Sequence, residues 1–275
     1  MSIILYKRYG LNICSCLNGT WNSTIPNSVD LSIRAKLIIF KEQLLKTGSK
    51  FPLKPITLHS RTLVIDLEKE PDDIFISFHR QNKQKIKRAQ REGYQHEVLN
   101  SPTSSEISAF IDFFQAFALW KGIALLPENR FKRSAEAGVI SITWMRDENQ
   151  IPLCGHAYLH DGNSVSMIHS ASHRVGKDSS QRNRIGRANR LLHWENILYY
   201  RHSGVKWYDF SGIFIDPLKE QEQNINEFKR SFGGQEVDEV RVFKSHSLKG
   251  KIFLLYVRWK WRNKVEYLRA LKNAQ

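Results

Sequence analysis

Apolar residues return every three or four positions between Ser104 and Gly122, at Ile107, Phe110, Ile111, Phe114, Phe117 and Ala118. This spacing predicts a helix with one core-facing stripe, capped by Ser104/Ser105 and ended by Gly122. A short basic helix follows around Asn129–Ala137, and then the period shortens to two. Three strand-like runs, Val139–Met145, Leu153–Leu159 and Ser164–Ser170, are joined by Asp147-Glu-Asn-Gln150 and Asp161-Gly-Asn163, the turn chemistry of an antiparallel meander. A loop rich in Ser, Arg and Asn leads to a helix from about Arg187 to His202, stopped by Ser203-Gly204. Strand Lys206–Phe210, helix Asn224–Phe232 halting at Gly233-Gly234, and strand Glu236–Phe243 complete the series. The tail from Ser247 to Ala274 reads as one long basic-aromatic helix.

Upstream, Thr62–Leu67 is a short β-branched strand, Pro71-Asp72-Asp73 starts a helix running to about Gly93, and Gln95–Leu99 is a weak strand. Residues Leu31–Leu45 carry apolar positions that predict an amphipathic helix ending before Gly48. The order suits a mixed α/β (α+β) sheet flanked by helices. The helix after Gly186 then starts at the sheet's opening, where its unsatisfied amides can face an anion. No repeat or low-complexity linker interrupts the chain.

Composition narrows the function. Over 275 residues, 42 Lys+Arg stand against 27 Asp+Glu, a formal charge of +15, and 41% of the residues are apolar. That apolar share closes a core and excludes a disordered chain, while the sign of the charge suggests a polyanionic partner. Cys14, Cys16 and Cys154 make neither a disulfide framework nor a metal site, so no metal is expected. The first residues lack the basic and apolar regions of a secretory signal, and no apolar run is long enough to span a bilayer. The expected location is the cytoplasm, either free or peripheral at the inner face of the cytoplasmic membrane.

The charge concentrates in three places. Arg80, Lys83, Lys85, Lys87, Arg88 and Arg91 wrap most of one helix with no acid among them, and could track an RNA backbone through phosphate contacts. Arg182, Arg184, Arg187 and Arg190 surround Gly186 at the start of the post-meander helix, a pattern suited to phosphates of a donor because guanidinium forks add directed donors to free amides. In the tail, Phe253, Tyr256, Trp259 and Trp261 interleave with Lys249, Lys251, Arg258 and Lys260, as in a helix at an anionic membrane face or one that packs its apolar side on the domain.

The string NRIGRANRLLHWENILYYRHSGVKWYDFSGIFIDPLKEQEQNINEFKRSFGG, Asn183 to Gly234, resembles the C-terminal signature of the Fem-type (FemABX) aminoacyl and peptidyl transferases. Its carriers are the glycine-alanine helix start with Leu-Leu-His-Trp, the Tyr208-Asp209-Phe210-Ser211-Gly212 strand end, and Phe228-Lys229 before Phe232-Gly233-Gly234. The strand Thr62–Leu67 and the basic helix ending at Gly93 resemble the segment that precedes it, so the likeness runs from about residue 60 to 245. It implies a GNAT-like acyltransferase fold with a mixed, mostly antiparallel central sheet. The expected organisation is a partial N-terminal subdomain (1–60), the acyltransferase domain (61–246) and the C-terminal helix (247–275).

The resemblance further implies transfer of an aminoacyl group from a charged tRNA to an amine of a cell-envelope precursor, such as a peptidoglycan or surface-glycan intermediate. No tightly bound cofactor is implied, since the aminoacyl-tRNA, or acyl-CoA in relatives of similar fold, is a donor substrate. Two alternatives stay open: an acyl-CoA- or acyl-carrier-dependent N-acyltransferase on an amino sugar, and a catalytically silent RNA-binding module. By the same resemblance Lys229, beside Phe228, is expected to be the fixed cation for the tetrahedral oxyanion or the departing ribose oxygen; the alternative is a surface lysine of the Asn224–Phe232 helix. Asp209, at a strand end, either takes or orients the amine proton or caps the Ser211-Gly212 turn. His156 and His169 in the meander are candidates for the acceptor site or for packing.

Overall fold

The computed structural model describes residues 2–17, 28–38, 56–174 and 176–272. Among them are ten strands and eight helices, arranged as a mixed, mostly antiparallel α/β architecture as expected. They divide into two compact units: one holds residues 1–63, 212–226 and 235–275, the other residues 64–211 and 227–234.

In the second unit the sheet order is β4-β9-β8-β7-β6-β5. It comprises the end of β4 (Ile56–Asp66), β5 (Gln95–Leu99), the meander β6 (Ile140–Arg146), β7 (Pro152–His160) and β8 (Ser164–Ser172), and β9 (Trp207–Asp209). Helices α1 (Pro71–Ser77), α2 (Arg80–Ala89), α3 (Ser104–Lys121), α4 (Glu128–Glu136) and α5 (Ser179–His202) belong to this unit. Helix α3 forms where its stripe predicted, with Thr103 as cap: its hydroxyl takes the Glu106 amide and the Glu106 carboxylate returns to the Thr103 amide. Gly122 ends it in the left-handed region. Ile107, Phe110, Ile111 and Phe114 pack with Phe131, Ile142, Trp144 and Ala157 into one core, each buried ring stabilising by about 2–3 kcal/mol.

Four elements differ from the sequence expectation. The single helix predicted from Pro71 to Gly93 is two, because Phe78 and His79 turn extended, with ψ 144° and 141°. The Phe78 ring is buried against Trp194 and Phe232, and the His79 amide donates to the Ser231 carbonyl at 2.9 Å. Helix α5 begins at Ser179, not near Arg187, since Asp178 and Gln181 form a capping box. Gly186 therefore lies inside the helix, in its third turn, and not at the helix start.

The third correction is Leu31–Ile38, which is a strand, β3, and not a helix; the rest of that prediction, 39–45, falls outside the described residues. In the first unit β1 (Ser2–Arg8) and β2 (Leu11–Leu17) form a hairpin, β2 runs parallel to β3, and β3 pairs antiparallel with β10 (Gln235–Ser245). The order there is β1-β2-β3-β10-β4. The tail is also two helices, α7 (Leu248–Trp261) and α8 (Val265–Lys272), separated by a turn at Arg262–Lys264. Residues 273–274 of the predicted helix lie outside the described residues. Helix α6 (Glu220–Arg230) passes from the first unit into the second, which takes its residues from Glu227.

Candidate functional site

The connection β8–α5–β9 is a crossover that returns β9 parallel to β8, yet the two strands pair only at Ser164–Ser166 with Trp207–Asp209. Strand β8 continues to Ser172 with its residues 166–170 half-buried, so past Asp209 its edge is no longer covered by β9. Open sheets present ligand-binding groups where neighbouring strands diverge in this way.

At that point the chain leaves β9 through Phe210 and Ser211, and Ser211 is a non-glycine residue at φ 57°. Such a conformation costs about 1–2 kcal/mol and must be held by its surroundings. Asp209 holds it from one side: one carboxylate oxygen accepts the Ser211 amide at 2.7 Å, and the other accepts the Ser166 hydroxyl at 2.8 Å. Lys229 holds it from the other, donating its ammonium to the Ser211 carbonyl at 2.7 Å. Burial pushes the Lys229 pKa down to about 8, against the opposing charge of Asp209. The side chain is thus a mostly charged, desolvated ammonium at neutral pH. Asp209 therefore makes the local turn hydrogen bond as well as a bond across the strands.

Phe228, next to Lys229, lies under the Arg190 guanidinium, whose carbon is 4.6 Å from the ring centroid. Arg190 also donates to Asn82 Oδ1 at 2.9 Å and Ser231 Oγ at 3.1 Å. Burial lowers its pKa to about 10, with a further contribution from the like charge of Arg174. Arg174 comes from the loop after β8 and packs against Gly186; its Nε is buried and, among the described residues, lacks a hydrogen-bond partner. Lys85 of α2 also feels the Arg190 charge and is held below the usual lysine range, chiefly by burial. The packing of α2 on α5 thus gathers three cations from separate elements.

The other arginines around Gly186 are engaged differently. Arg187 forms an ion pair with Glu92, and Arg184 donates to the Tyr94 hydroxyl at 3.2 Å. Arg182 is exposed in the first turn of α5. On α2, Arg80, Lys85, Lys87 and Arg88 are exposed, as is Arg91 just past its end; Lys83 donates to the Ile76 carbonyl at 3.0 Å, and Arg88 pairs with Glu92 at 3.4 Å. The inner face of that helix, Asn82, Ile86 and Ala89, is buried.

The structure separates His156 from His169. His156 pairs with Ser170, and His169 with Ala157, so their side chains stand on opposite faces of the sheet. His169 meets the rings of Phe114 and Phe131, while His156 meets Asn189 and His193 of α5. Burial pushes both imidazoles down to about 4, so both are neutral at physiological pH.

Sequence reasoning did not single out the polar chain running inward from this face. Asn189 Oδ1 is an acceptor 2.8 Å from His156 Nε2, which places the His156 proton there and leaves Nδ1 to accept from the Tyr158 hydroxyl at 3.0 Å. Tyr158 then accepts from Asn196 at 2.9 Å and from Tyr208 at 2.6 Å, and Tyr208 accepts from His193 Nδ1 at 2.8 Å. His193 sits among the rings of Phe210, Phe228 and Phe232, and its Nε2 has no hydrogen-bond partner among the described residues. The signal in the sequence was the histidine inside the apolar run Leu191-Leu-His-Trp194. Arg174 carried no pattern of its own.

No family model matches the sequence, and no curated protein matches it either. Solved structures do. FemX aligns with a TM-score of 0.60 at 14% identity, over 92% of this chain and 85% of that one. L-PGS from Bacillus licheniformis aligns with a TM-score of 0.52 at 11% identity, over 92% and 84% of the two chains. The C-terminal domain of a putative lysylphosphatidylglycerol synthetase from Agrobacterium fabrum gives 0.51 at 9% identity, over 92% and 83%. At these identities the likeness establishes a fold, and the fold is GNAT-like.

Proposed function

We propose that this chain is a Fem-type acyltransferase that moves an aminoacyl group from aminoacyl-tRNA to an amine of a cell-envelope precursor. The observation that carries the reading is Lys229: a desolvated ammonium, anchored on the strained Ser211 carbonyl beside the uncovered edge of β8. It follows Phe228 in the Phe-Lys pair through which the sequence resembles that family.

In the proposed reaction an amine nitrogen attacks the ester carbonyl of the donor. The new C–N bond forms, the C–O bond to the ribose breaks, and the proton lost by the amine ends on the ribose oxygen. The fixed Lys229 charge stabilises the oxyanion that develops between those steps, and a desolvated site makes it more effective than the same charge in water. Asp209 is a positioning residue, since both of its oxygens are engaged in holding Ser211 and Ser166. Arg174, Arg190 and Lys85 supply the cationic lining for donor phosphate.

The start of α5 favours the tRNA donor over coenzyme A. Asp178 places a carboxylate on the Gln181 amide at 2.8 Å, in the very turn where a coenzyme pyrophosphate would need free amides. The test is to purify the chain at low salt and mildly acidic pH, sequence the RNA retained, and identify its aminoacyl group by mass spectrometry. Enrichment of one charged tRNA family supports the reading. Retention of no tRNA, together with acyl transfer from a thioester donor, overturns it in favour of the acyl-CoA alternative.

A further inference from the structure

Helix α7 carries two apolar stripes. The inward one, Gly250, Leu254 and Val257, is buried in the first unit, where Gly250 approaches the Asp30 carbonyl so closely that any side chain would collide with it. The outward one consists of Leu248, Ile252, Leu255, Tyr256 and Trp259, which are between 51% and 73% exposed. At about 100° per residue these five lie within one quarter to one third of the helix circumference, opposite the buried stripe.

Cations border the outward stripe on both sides. On the same projection Lys251, Arg258 and Arg262 fall along one edge, Lys249 and Lys260 along the other, and α7 contains no acid. A second element adds to the surface. The β1–β2 hairpin turns through Tyr9 and Gly10, both at positive φ (52° and 72°). Asn or Gly fits the first of these positions more cheaply than Tyr does. Yet Tyr9 is 71% exposed, stacks on Phe253 of α7 at 5.9 Å, and lies beneath the Arg8 guanidinium.

We propose that this face, the outer side of α7 with the Arg8-Tyr9 hairpin tip, docks on the surface of an anionic lipid bilayer. An apolar stripe edged by lysines and arginines suits that boundary: aliphatic and indole groups enter the acyl region while the cationic ends stay with the phosphates. Leu248, Ile252 and Leu255 have no use on a nucleic acid, which offers phosphate and base faces but no hydrocarbon. A second copy of the chain would bring like charges edge to edge. Among the described residues no helix is long and apolar enough to cross a membrane, so the contact is one of lying on the surface. The inference does not depend on the transfer reading.

The experiment is flotation of the full chain with vesicles of phosphatidylcholine alone and of phosphatidylcholine mixed with phosphatidylglycerol. The wild type is expected to bind the mixed vesicles at least about tenfold more tightly, and less so as salt rises. The Leu255→Ser/Trp259→Ser double variant should lose on the order of tenfold or more of that affinity. Both positions are exposed, so its thermal melting should match the wild type. Lys249→Gln/Lys260→Gln should reduce the preference for the anionic vesicles. Equal vesicle binding by the double serine variant with unchanged melting would overturn the proposal, because charge elsewhere would then suffice. So would a concentration-dependent dimer, abolished by the same variant, in a protein that ignores vesicles.

Discussion

The Lys229 ammonium is anchored on the carbonyl of Ser211, 2.7 Å away, and Ser211 is in turn held at φ 57° by the Asp209 carboxylate. The charge is therefore fixed in place rather than carried on a mobile stem, which is what stabilisation of a developing oxyanion requires. Lys229→Met keeps the chain length and removes the charge. Transfer is expected to fall by about two to three orders of magnitude, with folding stability at neutral pH reduced by no more than about 1 kcal/mol. Steady-state assays with the donor, paired with urea melts, check both parts; transfer at the wild-type rate would sink the assignment.

The same residue gives a signed pH dependence. Its pKa is about 8 when folded against 10.5 in the unfolded chain, so between those values the unfolded state binds more protons. Stability from this group therefore rises with pH across that window. Urea melts at either end should show a rise in the wild type that Lys229→Met lacks. If the ammonium is the working form, the rate should meanwhile fall as pH passes about 8.

Much of the second unit was legible because its signals are local. The Ile107–Ala118 stripe, the Asp-rich turns of the meander and Gly122 each report on neighbours a few residues away. The misread elements depend on distant partners. Leu31, Ile33, Ala35 and Leu37 do alternate in the sequence, but the strand is decided by β10, some 200 residues later, which pairs along its whole length. The break at Phe78-His79 has neither Gly nor Pro to announce it; it exists because the Ser231 carbonyl takes the His79 amide. At α5 the Asp178-x-x-Gln181 box was in plain view, yet Gly186 is the more conspicuous punctuation. Of the candidate site, the Phe228-Lys229 pair and Asp209 were proposed through resemblance. Arg174, Ser166 and His193 were not, because their significance comes from which strands and helices they meet.

Arg190 tests the cationic lining. It has no carboxylate among its described hydrogen-bond partners, which are Asn82 and Ser231, and it shares its surroundings with Arg174 and Lys85. Arg190→Gln is expected to raise the donor KM with a smaller change in kcat, and to lower the log–log salt slope of tRNA binding by about 1. Arg190→Lys, which keeps the charge over Phe228, should restore most of the slope. An unchanged slope in the glutamine variant would remove Arg190 from the donor site.

His156 and His169 predict acid sensitivity. Burial pushes both down to about 4 from the 6.5 of the unfolded chain, so in that window the unfolded state binds more protons. Stability should thus be lost as pH falls from about 6.5 towards 4. His169 sits edge-on to Phe114 and Phe131, a setting that accepts another aromatic ring. His169→Phe should fold, and its melting temperature should fall less steeply across the window than that of the wild type. Parallel pH profiles would show that His169 contributes nothing to the slope.

The glycine pair that ends the Phe232-Gly233-Gly234 motif is a packing requirement before it is anything else. Gly233 has φ 68°, and a Cβ there would lie 2.5 Å from the Ser77 hydroxyl and 2.9 Å from the Ser77 carbonyl oxygen. The two faults add: the left-handed conformation costs an alanine about 1–2 kcal/mol, and the collision forces α1 away from the turn that follows α6. Displacing that turn would also move Phe232 off Phe78, and would shift Ser231 from the His79 amide and Arg190. Gly233→Ala is therefore expected to lose about 2–4 kcal/mol by urea denaturation, with Ser77→Gly recovering only the part due to the hydroxyl. The carbonyl oxygen stays where it was, so full rescue by that second change would mean the backbone conformation of Gly233 carries no cost of its own.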